Sequence, residues 1–579
     1  MKELAELQDM GYQFSLKNGQ VHYQYQGSQE RDRLRVRQLL GGLKRHAGLV
    51  QWILEQPKQK KRSYMALYFD ETQGIAWSFD GLNSVYSSDF SQVASLLADE
   101  EVVKIFYDAV SDVACLEKRG FLVRNYTSIK ALHQVCTYDA QRDVSLTELT
   151  RKLLGPEWIR IVEIPEDILK ESALALCYLY HLLLQKMEEL YLEKVWHREE
   201  ACLPVMVRLQ QSGLHFDFPG WSVALDQYEE KKTALVAKIR EICRMPELDL
   251  QSPAQLQTAL WQQGAQGALV FEKNLEHFRG EIPVVADVLK YMKLQKQINT
   301  FGLRLKNYID IDGRMRGRWH LIGSNTGRMS CTSPNLQGMP RASKAYFKAA
   351  PGHTFVIGDY SQIELRVIAQ VSGDATMIGS FMQGEDLHVK TAAAILSKVE
   401  CNVTETERQI AKAANFGLIY GMTATGLQRR VEAAYGIELT WQQAQQFRDG
   451  FFQLYPGILR YQDRILCCKE VKTLGGRCWC ENTVPLKQGS TARLNYPIQG
   501  TAAEGLKESL ILLFPQMKET WKLVAVVHDE VVLEVPEHEG EAAAIILERM
   551  MQSGMARLIT AVPIEVDVQV RAQWGRQNP

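Results

Sequence analysis

The chain has 579 residues, of which 46% are hydrophobic and 23% charged, and its 67 basic and 68 acidic side chains leave a net charge of −1. This length allows several domains of ordinary size and excludes a single small binding module. A net charge this close to zero does not indicate a polyanionic partner, so any nucleic-acid-binding surface must come from local segregation of charge.

Apolar runs and cysteines indicate the compartment. The longest apolar run, residues 172–185, is shorter than the roughly 20 residues of a membrane span, and the acidic start of the chain is unlike a signal peptide. The 11 cysteines include no C-x-x-C pair, which favours a reducing compartment. We therefore expect a cytoplasmic protein without a membrane partner. A zinc site is a weaker alternative, because its candidate ligands lack two-residue spacers: Cys467, Cys468, Cys478 and Cys480.

Short β-like runs alternate with helical segments up to about residue 190. The runs read SYMALYF, IAWSF and VVKIFYD, and their alternation with helical patterns predicts a compact α/β domain. From about 190 to 310 the apolar residues recur at helical spacing, which predicts a mainly helical region.

One predicted helix in this region, residues 291–308, combines an apolar face with a basic stripe. The apolar face comprises Leu294, Ile298, Phe301, Leu305 and Tyr308, and the stripe comprises Lys293, Lys296 and Arg304. The stripe fits either a solvated helix face or a surface that follows a nucleic-acid backbone.

The segment HTFVIGDYSQIELRV, residues 353–367, predicts a buried strand that ends at Asp359 and gives way to a helix. Ser361 and Glu364 have capping-box spacing, so Glu364 is expected to satisfy an amide of that helix. Asp359 is the functional candidate, because ligands reach open α/β sheets at the carboxyl ends of strands.

The segment TETERQIAKAANFGLIYGM, residues 404–422, predicts a helix that starts with a second capping box, Thr404 and Glu407. Arg408, Lys412 and Phe416 follow one another on a single face. Two cations one turn apart match successive phosphates, and an aromatic ring offers a platform for a sugar or base. A basic surface stripe is the alternative.

The segment AVVHDEVVLEV, residues 525–535, predicts a buried hairpin whose turn carries His528 and Asp529. The polar residues could simply be a solvated turn. If instead this turn lies beside Asp359, two carboxylates face each other, which is tolerable when divalent cations lie between them.

The three segments together resemble the family A DNA polymerases, specifically the large-fragment portion of the bacterial enzyme. GDYSQIELRV is similar to motif A, RQIAKAANFGLIYG to motif B and VHDEVVLE to motif C, and the resemblance covers about residues 200–577. It implies a multidomain α/β and α+β fold, a right-hand polymerase after an N-terminal RNase H-like exonuclease-type domain at 1–190. The polymerase part, 191–579, would divide into a thumb at about 200–308, a palm at about 309–372 and 485–579, and fingers at about 373–484.

The resemblance also implies roles for individual residues. Two Mg²⁺ ions would be held by Asp359, Asp529 and the carbonyl of Tyr360, with Glu530 beside them. The incoming dNTP would contact Arg408, Lys412, His388, Phe416, Tyr420, Glu364 and Gln362. Lys412 would also donate a proton to the departing pyrophosphate, and Glu364 would exclude nucleotides that carry a ribose 2′-hydroxyl. Primer-template DNA would contact Arg328, Asn335, Gln337, Asn495, Gln499, His528, Lys293 and Lys296.

The exonuclease-type region departs from the family pattern. Active versions carry an acidic D-x-E on the first strand, a second Asp, and a Tyr with a final Asp on a later helix, whereas here Asp70 is followed two residues on by Thr72. Asp112 matches the second Asp, but residues 172–187 contain no acid. We therefore predict a vestigial domain without proofreading, and no 5′-nuclease domain.

These observations predict a monomeric, template-directed DNA polymerase of replication or repair, encoded by a bacterium or phage. Two alternatives stay open. A single-subunit RNA polymerase would share the metal aspartates and the cationic helix, although Glu364 and Phe416 argue against it. A DNA-binding protein with an inert polymerase-like domain would tolerate the loss of Asp359 or Asp529.

Overall fold

The computed structural model describes residues 12–17, 20–26, 63–137, 144–155, 164–265, 272–275, 280–480 and 490–575, with a few isolated positions. Among the helices of these ranges, none combines the length and apolar character that crossing a membrane requires.

The N-terminal part contains a hairpin and a five-stranded mixed sheet. The hairpin pairs β1 (Tyr12–Lys17) with β2 (Gln20–Tyr25). The sheet strands are β3 (Ser63–Asp70), β4 (Gly74–Ser78), β5 (Val85–Ser87), β6 (Val102–Phe106) and β7 (Tyr126–Ser128). Their spatial order is β5-β4-β3-β6-β7, with β3, β6 and β7 parallel.

Helices cover this sheet, as the predicted α/β domain requires. They are α1 (Ala94–Ala98), α2 (Ala109–Lys118), α3 (Ile129–Thr137), α4 (Leu146–Leu154) and α5 (Pro165–Glu189). Strands β4 and β6 are buried at every position, which explains why their sequences read as continuous apolar runs rather than as alternation.

A helical region follows, as the spacing of apolar residues predicts. Its helices are α6 (Glu193–Ser212), α7 (Phe218–Cys243), α8 (Pro253–Gln262), α9 (Glu272–Leu275) and α10 (Pro283–Phe301). The prediction of one helix over 291–308 is wrong beyond Phe301. Gly302 leaves the helical conformation at ψ −149°, and residues Leu303–Tyr308 form a 3₁₀ helix that buries Leu305 but leaves Tyr308 41% exposed.

The remaining strands and helices form the C-terminal half. Its strands are β8 (Leu214–His215), β9 (Arg314–Met315), β10 (Arg318–His320), β11 (Ser330–Thr332), β12 (His353–Tyr360), β13 (Glu470–Lys472), β14 (Cys478–Cys480), β15 (Lys522–Val527), β16 (Glu530–Pro536) and β17 (Val566–Arg571). Its helices are α11 (Arg341–Lys344), α12 (Ile363–Ser372), α13 (Ala375–Met382), α14 (Leu387–Leu396), α15 (Glu405–Leu418), α16 (Ala424–Tyr435), α17 (Trp441–Leu454), α18 (Pro456–Cys467), α19 (Ser490–Leu513) and α20 (Gly540–Ala556).

The main sheet of this half is antiparallel, with the order β15-β16-β12-β17. Helix α20 packs on β12 and β17, and α19 packs on α20. The close approach of α20 requires Gly358, because a Cβ there would lie 2.7 Å from the sulfur of Met551. The strand predicted to end at Asp359 is confirmed and extends one residue further, to Tyr360, and the predicted hairpin at 525–535 is confirmed as well.

The two predicted capping boxes have different outcomes. Thr404 and Glu407 form the reciprocal box at the start of α15, as predicted. The box of Ser361 and Glu364 does not form. Gln362 precedes α12 in a left-handed conformation, φ 52°, without a side-chain cap, and the Glu364 carboxylate bonds elsewhere.

Candidate active site

Four carboxylates meet at one end of the C-terminal sheet. Asp359, near the end of β12, is the register partner of Glu530 on β16 and of Asp567 on β17. Asp529 occupies the two-residue turn between β15 and β16, and its carbonyl accepts a hydrogen bond from the Tyr360 N–H at 3.4 Å. The two aspartates predicted to share metal ions therefore lie at the same sheet end, Asp359 on β12 and Asp529 in the turn that leads into the neighbouring strand β16.

Sequence reasoning missed the fourth acid, Asp567. It lies in the strand VDVQVR, where nothing in the local pattern distinguishes it from an ordinary solvent-facing residue. The signal that could have found it is strand register, since β17 pairs with β12 so that Asp567 falls directly opposite Asp359.

The pKa values of the two aspartates at this sheet end, Asp359 and Asp529, are both raised. Partial burial, followed by the charges of Glu530, Asp529 and Asp567, raises the pKa of Asp359 to about 6. Burial also raises the pKa of Asp529 to about 6, with Arg328 opposing the shift and Glu364 adding to it. The ionised forms of both carboxylates are therefore destabilised, and a bound cation would offset this destabilisation.

The donor set at this sheet end suits a hard divalent cation. Asp359 and Asp529 supply carboxylate oxygens, and Mg²⁺ binds through one or two carboxylates together with water and phosphate oxygens. Within the described ranges, no group of three or more His, Cys, Asp or Glu side chains is arranged to hold a metal ion. The predicted set therefore consists of two carboxylates and the Tyr360 carbonyl, and the Tyr360 hydroxyl is anchored away from it on Ser509 and the Met551 carbonyl at 2.7 Å each.

Helix α15 presents the predicted cations. Lys412 is exposed, and half-buried Arg408 contacts Asp386 at 2.9 Å, the residue that caps α14. Phe416 follows one turn after Lys412 and is half-buried. Arg408 is thus held toward the start of α14, which carries His388.

His388 is brought to the same place but is only 3% exposed. Its Nδ1 lies 2.9 Å from the side-chain nitrogen of Asn415, and its ring lies 5.8 Å from that of Phe416. Burial, together with Arg408 and Lys412, lowers the pKa of His388 to about 4. At neutral pH this residue is an uncharged hydrogen-bonding group and not a third cation.

Glu364 is held between two side chains. Arg328 donates to its Oε1 at 2.9 Å, and the hydroxyl of Tyr420 donates to its Oε2. Both carboxylate oxygens of Glu364, the predicted gate residue, therefore accept hydrogen bonds from residues distant in the chain. Beside it, Gln362 has a buried side-chain oxygen that accepts no hydrogen bond from the described residues.

The predicted DNA contacts fall into three groups. Arg328, Gln337 and His528 line a small cavity of about 20 Å³ together with Asp529. Asn335 caps the 3₁₀ turn Leu336–Gly338 by accepting from the Gly338 N–H at 2.9 Å.

The third group lies on helices. Asn495 and Gln499 are four residues apart on α19, and the side-chain oxygen of Asn495 is buried without a hydrogen bond from the described residues. Lys293 and Lys296 are exposed on α10, which packs against α7.

A second cavity, of about 300 Å³, lies at the carboxyl end of β6 in the exonuclease-type region. Asp108 lines it and contacts Lys130 at 3.2 Å and Arg318, from the C-terminal half, at 3.3 Å. Asp112 lies on α2 and accepts from the Asp108 N–H at 3.1 Å, and burial raises the pKa of Asp112 to about 8. Sequence reasoning missed Asp108, although its place directly after a buried strand was a usable signal.

Two smaller predictions concern Asp70 and the cysteines. Asp70 is the last residue of β3, directly before the hairpin turn, and its carboxylate accepts from the backbone N–H groups of Thr72 at 2.9 Å and Gln73 at 3.0 Å in that turn. The proposed zinc ligands do not form a metal site in the part of the chain that the structure describes, and none of them takes part in a disulfide bond there: Cys467, Cys468, Cys478 and Cys480.

Comparisons with known proteins place both halves of the chain. A family model described as DNA polymerase family A matches residues 222–576, and one described as 3′-5′ exonuclease matches residues 67–170.

Two relatives are similar over long stretches. DNA polymerase I of Aquifex aeolicus (strain VF5) is 37% identical over 318 residues, 53% of this chain and 53% of that protein. The thermostable DNA polymerase I of Thermus filiformis is 30% identical over 510 residues, 81% of this chain and 58% of that protein. The chain thus spans little more than half the length of these relatives.

A solved structure shares the fold. The POL domain of Pol1 from M. smegmatis, in complex with DNA primer-template and dNTP, superposes with a TM-score of 0.80 at 23% sequence identity. The match covers 90% of this chain and 97% of that one.

Proposed function

The chain belongs to DNA polymerase family A, and from this premise we propose that it adds deoxynucleoside triphosphates to the 3′-hydroxyl of a DNA primer under the direction of a template. The observation that carries the proposal is the meeting of Asp359 and Asp529 at one sheet end, where Arg328, the partner of the predicted gate Glu364, lines the same small cavity as Asp529. The primer-template and dNTP in the complex of the M. smegmatis domain support the same choice of partners.

The proposed mechanism assigns a task to each group. Asp359, Asp529 and the Tyr360 carbonyl would hold two Mg²⁺ ions, which supply Lewis-acid stabilisation of the attacking and leaving oxygens in an in-line displacement. Arg408 and Lys412 stabilise negative charge on the departing pyrophosphate, and Lys412 donates a proton to it. Neutral His388 orients a phosphate oxygen by hydrogen bonding.

The remaining contacts select the substrate. Arg328 and Tyr420 fix the Glu364 carboxylate, which crowds a ribose 2′-hydroxyl in the incoming nucleotide. Phe416 packs against the sugar and base. Template pairing supplies the sequence, so Arg328, Gln337 and His528 need only sense the shape of the minor groove.

We further propose that the exonuclease-type region does not proofread. Asp108, the acid at the strand end, is already neutralised by Lys130 and Arg318. Asp112 stays protonated near neutral pH, because its pKa is about 8. Residues 172–187 supply no acid from the later helix. The cytoplasmic location and the monomeric state remain predictions.

The test is extension of a 5′-labelled primer with Mg²⁺ and the four dNTPs. We expect full-length product with dNTPs, far less with NTPs, and no shortening of a mismatched primer when nucleotides are left out. Asp359→Asn and Asp529→Asn should each lower extension by at least about a thousandfold, since one preorganised electrostatic contact alone contributes 10²–10³, while primer-template binding is kept.

The matched control is Asp463→Asn, an exposed aspartate on α18, which should extend at the parent rate. Extension that survives both aspartate variants would refute the catalytic assignment and favour the inert DNA-binding alternative. Preferential use of NTPs would favour an RNA polymerase. Shortening of the mismatched primer that Asp108→Asn abolishes would refute the loss of proofreading.

A further inference from the structure

Glu530, the carboxylate beside Asp529, is held by two side chains from distant parts of the chain. The indole N–H of Trp574 donates to Glu530 Oε1 at 2.7 Å, and the ammonium of Lys344 lies 3.3 Å from the same oxygen. The Lys344 nitrogen also lies 4.2 Å from the centroid of the Trp574 ring, within cation–π distance. The three groups form a closed cluster, which we call the Glu530 clamp.

The C-terminal segment that carries Trp574 is fixed by backbone pairing. The N–H of Trp574 donates to the Phe347 carbonyl at 3.0 Å, and the N–H of Gly575 donates to the Lys344 carbonyl at 3.1 Å. Gly575 permits this approach, because a Cβ there would lie 2.6 Å from the backbone nitrogen of Ala345. The segment therefore sets Trp574 beside Lys344 independently of Glu530.

The clamp is sheltered from solvent. Trp574 is 4% exposed, and the side chains of Lys344 and Glu530 are 21% and 22% exposed. Hydrogen bonds to a carboxylate in such surroundings are stronger than at an open surface, because water competes less for the same oxygen. The rotamer of Glu530 is thus set by the clamp.

The clamp contacts only one oxygen of the carboxylate. Both contacts are made to Oε1, while Glu530 is the register partner of Asp359 and the chain neighbour of Asp529. Neither Lys344 nor Trp574 contacts the second oxygen, Oε2, in the described part of the chain. Lys344 also places one positive charge beside four carboxylates, where it opposes the rise in the pKa of Asp359.

We propose that Lys344 and Trp574 are positioning residues of the polymerase site, which orient Glu530 and offset part of the negative charge around the metal ions. This inference rests on the proposed function. On this proposal, the segment that carries Trp574 contributes to the active site by orienting Glu530.

The experiment compares Trp574→Phe, which keeps a ring under Lys344 but removes the N–H donor, with Lys344→Met. We expect kcat for primer extension to fall about 10–100-fold in each, the range found when a residue that orients a metal-site group is lost. The KM for dNTP should change less than about threefold, because neither residue lies on the cationic helix. The Mg²⁺ concentration for half-maximal rate should rise, and Lys344→Arg should restore most of the loss.

Two measurements do not depend on turnover. Isothermal titration of Mn²⁺ into the full chain without DNA should show weaker binding in Trp574→Phe and Lys344→Met than in the parent. The matched control is Trp521→Phe, because Trp521 is a buried tryptophan directly before β15 whose indole donates to the carboxylate of Glu539. That variant should lose similar thermal stability without a change in kcat or Mn²⁺ affinity.

Failure of the clamp can be told from failure of the proposed function. If the parent extends primers and Asp359→Asn does not, but Trp574→Phe and Lys344→Met keep the parent kcat and Mn²⁺ affinity, the clamp is refuted and the function stands. If the parent does not extend primers, the function fails, and unchanged Mn²⁺ affinity in both variants refutes the clamp as well. If Trp574→Phe does not fold, Lys344→Met decides the outcome.

Discussion

The protonation state of Asp112, in the exonuclease-type region, makes the stability of the protein depend on pH. Burial raises its pKa from an ordinary value of 3.8 to about 8, and its carboxyl accepts a hydrogen bond from the Asp108 N–H. In the folded protein the group stays protonated at pH values where the unfolded chain has already ionised it. The free energy of unfolding therefore falls as the pH rises from about 4 to about 8.

We predict that Asp112→Asn removes this pH dependence, because asparagine keeps an acceptor for the Asp108 N–H and cannot ionise. The free energy of unfolding at pH 7 should rise by about 1–2 kcal/mol. This value is smaller than the pKa difference alone would give, because solvent reaches part of the side chain and screens its charge. Calorimetric melting temperatures at pH 5 and pH 8 measure the effect.

The matched control is Asp70→Asn, at the end of β3 in the same N-terminal region. Asp70 is exposed, and hydrogen bonds from Thr72 lower its pKa, so its loss should not raise stability at pH 7. A parent-like difference in melting temperature between pH 5 and pH 8 in Asp112→Asn would contradict the protonated state.

Glu364 shows why a residue's type is easier to predict than its partner. Local spacing predicts a cap for α12, whereas the carboxylate binds Arg328 and Tyr420, which are 36 and 56 residues away. A charged donor on a carboxylate is worth more than a cap on one backbone amide, and only the tertiary structure brings that donor within reach.

At the level of elements, helix α15 depends on its first turn. Thr404 and Glu407 form the reciprocal capping box, and the Arg408 N–H donates to the Thr404 carbonyl at 2.9 Å. Fraying of this turn would move Arg408, the first of the two cations proposed to hold the triphosphate. The cap therefore links helix stability to nucleotide binding.

We predict that Thr404→Ala lowers stability by about 1 kcal/mol, the usual cost of a lost cap. The KM for dNTP should rise by up to about fivefold, the factor that 1 kcal/mol represents, with little change in kcat. Steady-state primer extension at varied dNTP concentration measures both constants.

The control is Thr440→Ala, which removes the equivalent box with Gln443 at the start of α17, a helix of the same length. It should lose similar stability and keep the parent KM. Equal KM changes in the two variants would show that general destabilisation, and not the position of Arg408, is responsible.

At the level of the whole molecule, one hydrophobic core joins the two halves of the chain. It includes Leu67 of β3, Trp196 of α6 and Val531 of β16. A buried charge network lies beside it, in which the Glu199 carboxylate contacts Arg477 and, at 2.6 Å, Lys507 of α19. All three side chains are at most 3% exposed, so each charge depends on the others for compensation.

We predict that Glu199→Gln lowers the free energy of unfolding by about 3–5 kcal/mol, because it leaves two buried cations without their shared anion. Thermal or denaturant unfolding measures the loss. Glu100→Gln is the control, since Glu100 forms an exposed ion pair with Arg124 and its loss should cost less than about 1 kcal/mol. Similar losses in the two variants would contradict a structural role for the buried network.

The sequence by itself determined the family, the fold class and the elements that carry the site. The strand ending near Asp359, the hairpin carrying Asp529 and the capped helix carrying Arg408 are all coded by contiguous residues, and the structure contains each of them. Periodicity, turn residues and caps act within a few residues, so one stretch of sequence contains their full physical cause.

Only the tertiary structure decided which groups meet. Asp567 faces Asp359 through strand register, Trp574 reaches Glu530 across 44 residues, and Arg318 reaches Asp108 across 210. A side-chain hydrogen bond or ion pair is selected by proximity and burial in three dimensions, and neither quantity is a property of the local sequence.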